Sequence, residues 1–119
     1  MTQSIRRELS VTFTREQIAA YADASGDHNP IHLDDDFARQ AGLPGIIAHG
    51  MLQMGLLARV AAAGSPDRLR RLTCRFNGIV RPGDTLTFTA EESEGRVDLS
   101  AVNQDGERIL TKARADLFG

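Results

Sequence analysis

Hydrophobic and polar positions follow two different periods along this chain. From Leu69 onward they alternate, and residues 69–80, 85–92, 95–103 and 107–117 read as strands. Thr85-Leu86-Thr87-Phe88-Thr89 and Val97-Asp98-Leu99-Ser100-Ala101-Val102 alternate most cleanly, as half-buried antiparallel strands do. Arg81-Pro82-Gly83-Asp84, Glu94-Gly95 and Gln104-Asp105-Gly106 punctuate them as turns. Before Leu69 the spacing is helical. Thr14 and Gln17 stand in capping-box positions, Ile18, Tyr21 and Ala22 follow on one face, and this helix ends near Gly26. Pro30 makes residues 27–33 irregular, because proline lacks a donor and restricts its predecessor. Asp34, Asp35 or Asp36 caps a short helix through Gln40, with Gly42 as its stop. A longer helix starts close to His49 and runs to about Ala63, where Gly64-Ser65-Pro66 ends it. Met51, Leu52, Met54, Leu56, Leu57, Val60 and Ala61 make it apolar on nearly every face, which predicts burial.

A buried helix followed by an antiparallel meander predicts an α+β domain whose sheet curls around that helix. The sheet's open edge then needs cover, which predicts a dimer. The 119 residues suit a single domain, 1–119. Apolar content of 41% and charged content of 25% are ordinary for a globular chain. No segment approaches the roughly 18 consecutive apolar residues of a spanning helix, so no membrane partner is expected. Met1-Thr2-Gln3-Ser4-Ile5-Arg6-Arg7 carries no apolar run behind its arginines and does not read as a signal peptide. Cys74 is the only cysteine, which excludes an internal disulfide and fits a reducing, cytoplasmic location. A formal net charge of -2 gives no overall basic field for nucleic acid.

Candidate chemistry lies in Tyr21-Ala22-Asp23-Ala24-Ser25-Gly26-Asp27-His28-Asn29-Pro30-Ile31-His32, which joins a helix to a rigid loop. A carboxylate and an imidazole fixed near one water form a general acid/base pair, and Asp27 and His32 are the candidates. Simple alternation would put them on different sides of an extended segment, so the loop must curl for them to converge. The second feature is Ala48-His49-Gly50-Met51-Leu52 at the start of the long helix. Free amides there carry partial positive charge, and Gly50 has no side chain to block an approaching carbonyl. Such an amide stabilises an enolate-like oxygen.

The run YADASGDHNPIHLDDDFARQAGLPGIIAHGMLQMG resembles the MaoC-like family of R-specific enoyl-CoA hydratases and 3-hydroxyacyl dehydratases. Its Gly-Asp-x-Asn-Pro-aliphatic-His motif and its His-Gly-Met at a helix start are both present, and FNGIVRPGDTL is similar to the strand and turn that follow. The resemblance covers nearly the whole chain and is nearest to single-domain 3-hydroxyacyl-ACP dehydratase subunits. It implies a hot-dog fold, an antiparallel sheet wrapped around a long central helix. It implies catalytic roles for Asp27 and His32, with Asn29 orienting the loop or the water and the Gly50 amide holding the oxyanion. The implied reaction joins a trans-2-enoyl thioester and water into the (R)-3-hydroxyacyl thioester, with no organic cofactor. The implied partners are an acyl-CoA or acyl-ACP substrate and a second hot-dog subunit, identical or related, joined sheet edge to sheet edge.

Around this centre, His49 reads as a helix-cap residue that orients the catalytic loop beside the substrate. Met51 and Met54 read as core or as lining of an acyl tunnel. His28 is expected to be polar and partly exposed. His28, His32, His49 and Asp27 also read as a metal cluster, with His28 and His32 at the i, i+4 spacing of helical zinc ligands, but Pro30 between those two argues against a helix, and no metal is expected. Two rival functions share the fold: an acyl-thioester hydrolase, and a non-catalytic partner subunit. The residues Asn29-Pro30-Ile31-His32 after Asp27 weigh against the first, and the presence of both Asp27 and His32 weighs against the second. Acyl chain length, the carrier and the pathway are not readable.

Overall fold

A computed structural model describes residues 4–118. The signal-peptide reading rests in part on Met1, Thr2 and Gln3, which lie outside the described residues. The elements are β1 (Ile5–Thr12), α1 (Arg15–Ser25), a 3-10 turn (Pro30–His32), α2 (Asp35–Gln40), α3 (Gly50–Ala61), a 3-10 turn (Pro66–Arg68), β2 (Leu69–Phe76), β3 (Thr85–Ser93), β4 (Arg96–Val102) and β5 (Arg108–Leu117). The strands form one five-stranded antiparallel sheet in the order β1-β3-β4-β5-β2. α3 packs against β1, β2, β3 and β4, which is the expected arrangement of a sheet around a central helix. Leu57, Val60 and Ala61 of α3 join Leu86, Phe88 and Val97 of the sheet in one buried cluster. Burying each such large side chain contributes roughly 1.5–3 kcal/mol. No helix among the described residues is long and apolar enough to cross a membrane.

Four features depart from the sequence reading. The first half of the chain is not all helical, because β1 pairs with β3 along its whole length, from Ile5 opposite Glu92 to Thr12 opposite Thr85. Its inward positions are Arg7, Leu9 and Val11, and the arginine interrupts the apolar alternation that would mark a strand. The strand read as 69–80 ends at Phe76. Asn77 then donates to the Ile109 carbonyl at 2.8 Å, and Gly78 passes so close to Ile109 that a β-carbon would lie 3.0 Å from its Cδ1. The capping box is half-formed: the Gln17 amide reaches Thr14 Oγ1 at 3.1 Å, but Gln17 Oε1 is buried without a partner. Lastly, α3 is not buried all round. Its inner face holds Leu57 and Val60, whereas Met51 is 62% exposed and Gly55 and Arg59 are exposed.

Candidate active site

The loop after α1 curls through a chain of short-range bonds. Gly26 takes a left-handed conformation, φ 78°, that caps α1 and turns the chain. Asp27 Oδ1 then accepts from the Asn29 amide at 3.2 Å, and Asn29 Oδ1 accepts from the Ile31 amide at 3.2 Å. These Asx turns, with Pro30 starting the 3-10 turn, replace an extended segment with a compact one. The curl brings His32 back beside Asp27. Asn29 is thereby a loop-shaping residue through its side-chain oxygen.

The segment before α3 clamps this loop from the other side. The Ile47 amide donates to Ile31 O at 3.1 Å, and the Ala48 amide donates to Val80 O at 2.8 Å. The Ile46 amide donates to Asp35 Oδ1 at 3.0 Å. That amide, with Arg15 at 2.9 Å, holds the Asp35 carboxyl below its ordinary range against the opposing effect of burial. The buried His32 donates from Nδ1 to Ile47 O at 2.8 Å. A carbonyl can only accept, so Nδ1 carries the proton and the Nε2 lone pair is left free.

His49 occupies the N-cap position of α3 but makes no side-chain cap bond. Its Nε2 donates to the backbone oxygen of Asp27 at 3.0 Å instead, tying the loop to the helix start. Its Nδ1 is buried without a partner. The His49 ring stacks on His32 with centroids 3.7 Å apart, and Tyr21 meets its edge at 4.8 Å. One ligand-capable atom from each of Asp27, His32 and His49 lies within 4.8 Å of the other two. His28 points elsewhere: it is exposed, bonds Asp23 at 3.0 Å, and is raised in pKa chiefly by that bond.

As the first residue of α3, Gly50 has an amide that the helix leaves without an acceptor. The half-exposed Phe76 lies over it, and a β-carbon at Gly50 would sit 3.2 Å from the ring's Cε1. Met51 is exposed beside this point and Met54 is half-buried one turn on. Farther along the outer face of α3, Gly55, Ala58, Ala62, Pro66 and Leu69 line an apolar cleft of about 280 Å³. The sequence reading missed the Ile47 carbonyl and Phe76. No side-chain type signals a carbonyl contact, whereas Phe76 stood within the matched FNGIVRPGD run without a role.

A carboxylate, a directed imidazole and a free helix-terminal amide gathered at one place can move protons beside a developing oxyanion. Comparison with known proteins bears on which chemistry this is. The profile of the family described as MaoC like domain matches residues 1–113. A fatty acid synthase subunit beta from Aspergillus oryzae is 47% identical over 102 residues, covering 77% of this chain and 5% of that protein. A peroxisomal hydratase-dehydrogenase-epimerase from Neurospora crassa is 34% identical over 110 residues, covering 92% of this chain and 12% of that protein. The chain thus spans only a small part of the curated relatives it matches. Among solved structures, R-hydratase PhaJ1 from Pseudomonas aeruginosa superposes with a TM-score of 0.82 at 28% identity, over 96% of this chain and 79% of that one. The (R)-hydratase from A. caviae involved in PHA biosynthesis superposes at 0.81 and 27% identity, over 96% and 93% of the two chains. The present chain shares their hot-dog fold.

Proposed function

The chain belongs to the MaoC-like domain family of hydratases and dehydratases, and on that premise we propose that it interconverts trans-2-enoyl and (R)-3-hydroxyacyl thioesters. The observation that carries this reading is the convergence of Asp27 and His32 next to the open start of α3. His32 Nε2 and the Asp27 carboxylate hold one water between them. The water oxygen bonds to C3 as the C2–C3 π bond breaks, and its proton passes to one of the pair. The electron pair moves toward the thioester oxygen, where the Gly50 amide meets the growing negative charge. The pair then delivers the proton taken from the water to C2, which completes addition and returns both groups to their starting state. Elimination is the reverse. His49 positions the loop through the Asp27 carbonyl, and Asn29 shapes it. The acyl chain runs along the outer face of α3, past Met51 and Met54 toward the cleft at Gly55 and Ala58.

Residues 1–119 act as a single catalytic domain in this reading, and two hot-dog subunits pair through a sheet edge, with CoA or acyl carrier protein bearing the substrate. Hydration of crotonyl-CoA by the purified chain tests the reaction. Turnover to 3-hydroxybutyryl-CoA of R configuration is the expected result. Release of free CoA without hydration would instead make it a thioester hydrolase.

A further inference from the structure

Each of Asp27, His32 and His49 has one polar atom engaged and another left for a ligand. His32 Nδ1 is held by Ile47 O, leaving Nε2. His49 Nε2 is held by Asp27 O, leaving Nδ1, which is buried and has no partner in a side chain only 1% exposed. Asp27 Oδ1 accepts from the Asn29 amide, leaving Oδ2. We propose that these three residues bind a late divalent transition metal, with zinc as the probe, and that the bound ion excludes the enoyl thioester. The consequence for turnover rests on the acid/base reading of Asp27 and His32; the binding itself does not.

Ligand chemistry selects the ion. Two imidazoles and one carboxylate suit zinc, whereas magnesium and calcium require oxygen ligands. Three protein ligands leave a fourth position open, and Asp27 stands at the exposed side where water can fill it. The outer contacts have the form that metal-bound histidines need, since each ring donates its second nitrogen to a backbone carbonyl, which fixes the tautomer and the ring direction. Zinc bonds of about 2.0–2.2 Å put tetrahedral ligand atoms roughly 3.3 Å apart. The trio, now within 4.8 Å, must therefore close, and the stacked rings must open from their interplanar angle of 24°. The exposed Asp27 side chain can swing inward to supply much of that closure. The histidine pair first suggested by spacing, His28 and His32, is not the one the fold assembles.

A zinc titration of the full chain by calorimetry, with the visible spectrum of bound cobalt as a report on four-coordination, tests the proposal. One ion per chain is expected. Asp27→Asn, an exposed and isosteric change, should weaken binding at least roughly tenfold, the scale on which even outer-shell partners act. His49→Ala should do likewise, while His28→Ala and Cys74→Ser leave binding unchanged. Zinc should also inhibit crotonyl-CoA hydration, a chelator should restore it, and excess substrate should protect. No binding at millimolar zinc, or binding that Asp27→Asn and His49→Ala leave intact, overturns the site. Binding that leaves turnover untouched overturns the competition. A chain that binds zinc but hydrates nothing would sink the hydratase reading and leave the metal site standing.

Discussion

The two ends of α3 are built on opposite plans. At the C-terminal end every exposed valence is met. Arg7 donates to Val60 O at 2.9 Å and Ala61 O at 2.6 Å, the carbonyls a helix leaves unpaired. Its guanidinium also bonds Glu92 at 2.9 Å, and Arg68 reaches the same carboxylate at 3.3 Å. A cation there complements the negative end of the helix dipole. At the N-terminal end the cap makes no side-chain bond, the first turn has no acidic residue, and His49 Nδ1 is orphaned. The free N–H groups of that first turn are the donors the proposed reaction uses. In that proposal a negative charge growing on a substrate oxygen is met by these amides.

The sharpest way to break this contrast is to remove the groups at the open end. Asp27→Asn and His32→Ala should each lower crotonyl-CoA turnover by about 10²–10⁴-fold. Melting temperature should barely move for Asp27→Asn, because that side chain is exposed. Near-normal turnover in either variant would remove that residue from the mechanism. Gly50→Val comes next, with an expected fall of roughly 10²–10³-fold in kcat and a smaller change in KM. The added β-carbon must displace the Phe76 ring, 3.2 Å away, and a half-exposed ring can yield. A variant that melts much lower yet keeps normal turnover per folded molecule would make Gly50 a packing residue only.

How far these ends were legible in the sequence depends on the range of their contacts. Local signals read well: Thr14 caps α1, Asp34 caps α2, and the turns at Pro82-Gly83, Glu94-Gly95 and Asp105-Gly106 separate β2 through β5. The motif residues Asp27, Asn29, His32, His49 and Gly50 are legible as a motif, and the structure gathers them at one helix terminus. The saturated end was invisible. β1 depends on pairing with β3 across most of the chain, and Arg7 in an inward position hides its period. Nothing in the sequence assigns an arginine to carbonyls that lie far along the chain. Burial of α3 was overread for a related reason: an apolar face marks a surface that wants cover, not what covers it.

The saturated end predicts stability without activity. Arg7→Met strands the Val60 and Ala61 carbonyls and leaves Glu92 to Arg68 alone. The expected cost is about 1–3 kcal/mol by chemical denaturation. Turnover per folded molecule should stay at the wild-type level, since Arg7 lies at the far end of α3 from Gly50. Loss of kcat in a folded Arg7→Met protein would mean that the two ends are coupled.

The smallest expected effect is an acid-dependent one at the same end. Burial pushes the Glu92 carboxyl up, but the bonds from Arg7 and Arg68 outweigh it and hold the group below the ordinary glutamate value of 4.5. A carboxylate depressed on folding contributes stability that is present above its unfolded pKa and is lost as pH falls through its folded pKa. The contribution from Glu92 should therefore be full near neutrality and fade below about pH 4.5. Denaturant unfolding between about pH 6 and about pH 3 should show a stability slope that Glu92→Gln makes shallower. Asp35, also depressed, supplies part of the remaining slope from the other end of the molecule. Each carboxylate's share then separates by substitution: Asp35→Asn should loosen the segment that carries Ile47 and reduce turnover, whereas Glu92→Gln should change the slope alone. An acid slope that Glu92→Gln leaves untouched would move the acid-labile tie from the C-terminal end of α3 to its N-terminal end, and with it the division between the part of the helix that holds the fold and the part proposed to do the chemistry.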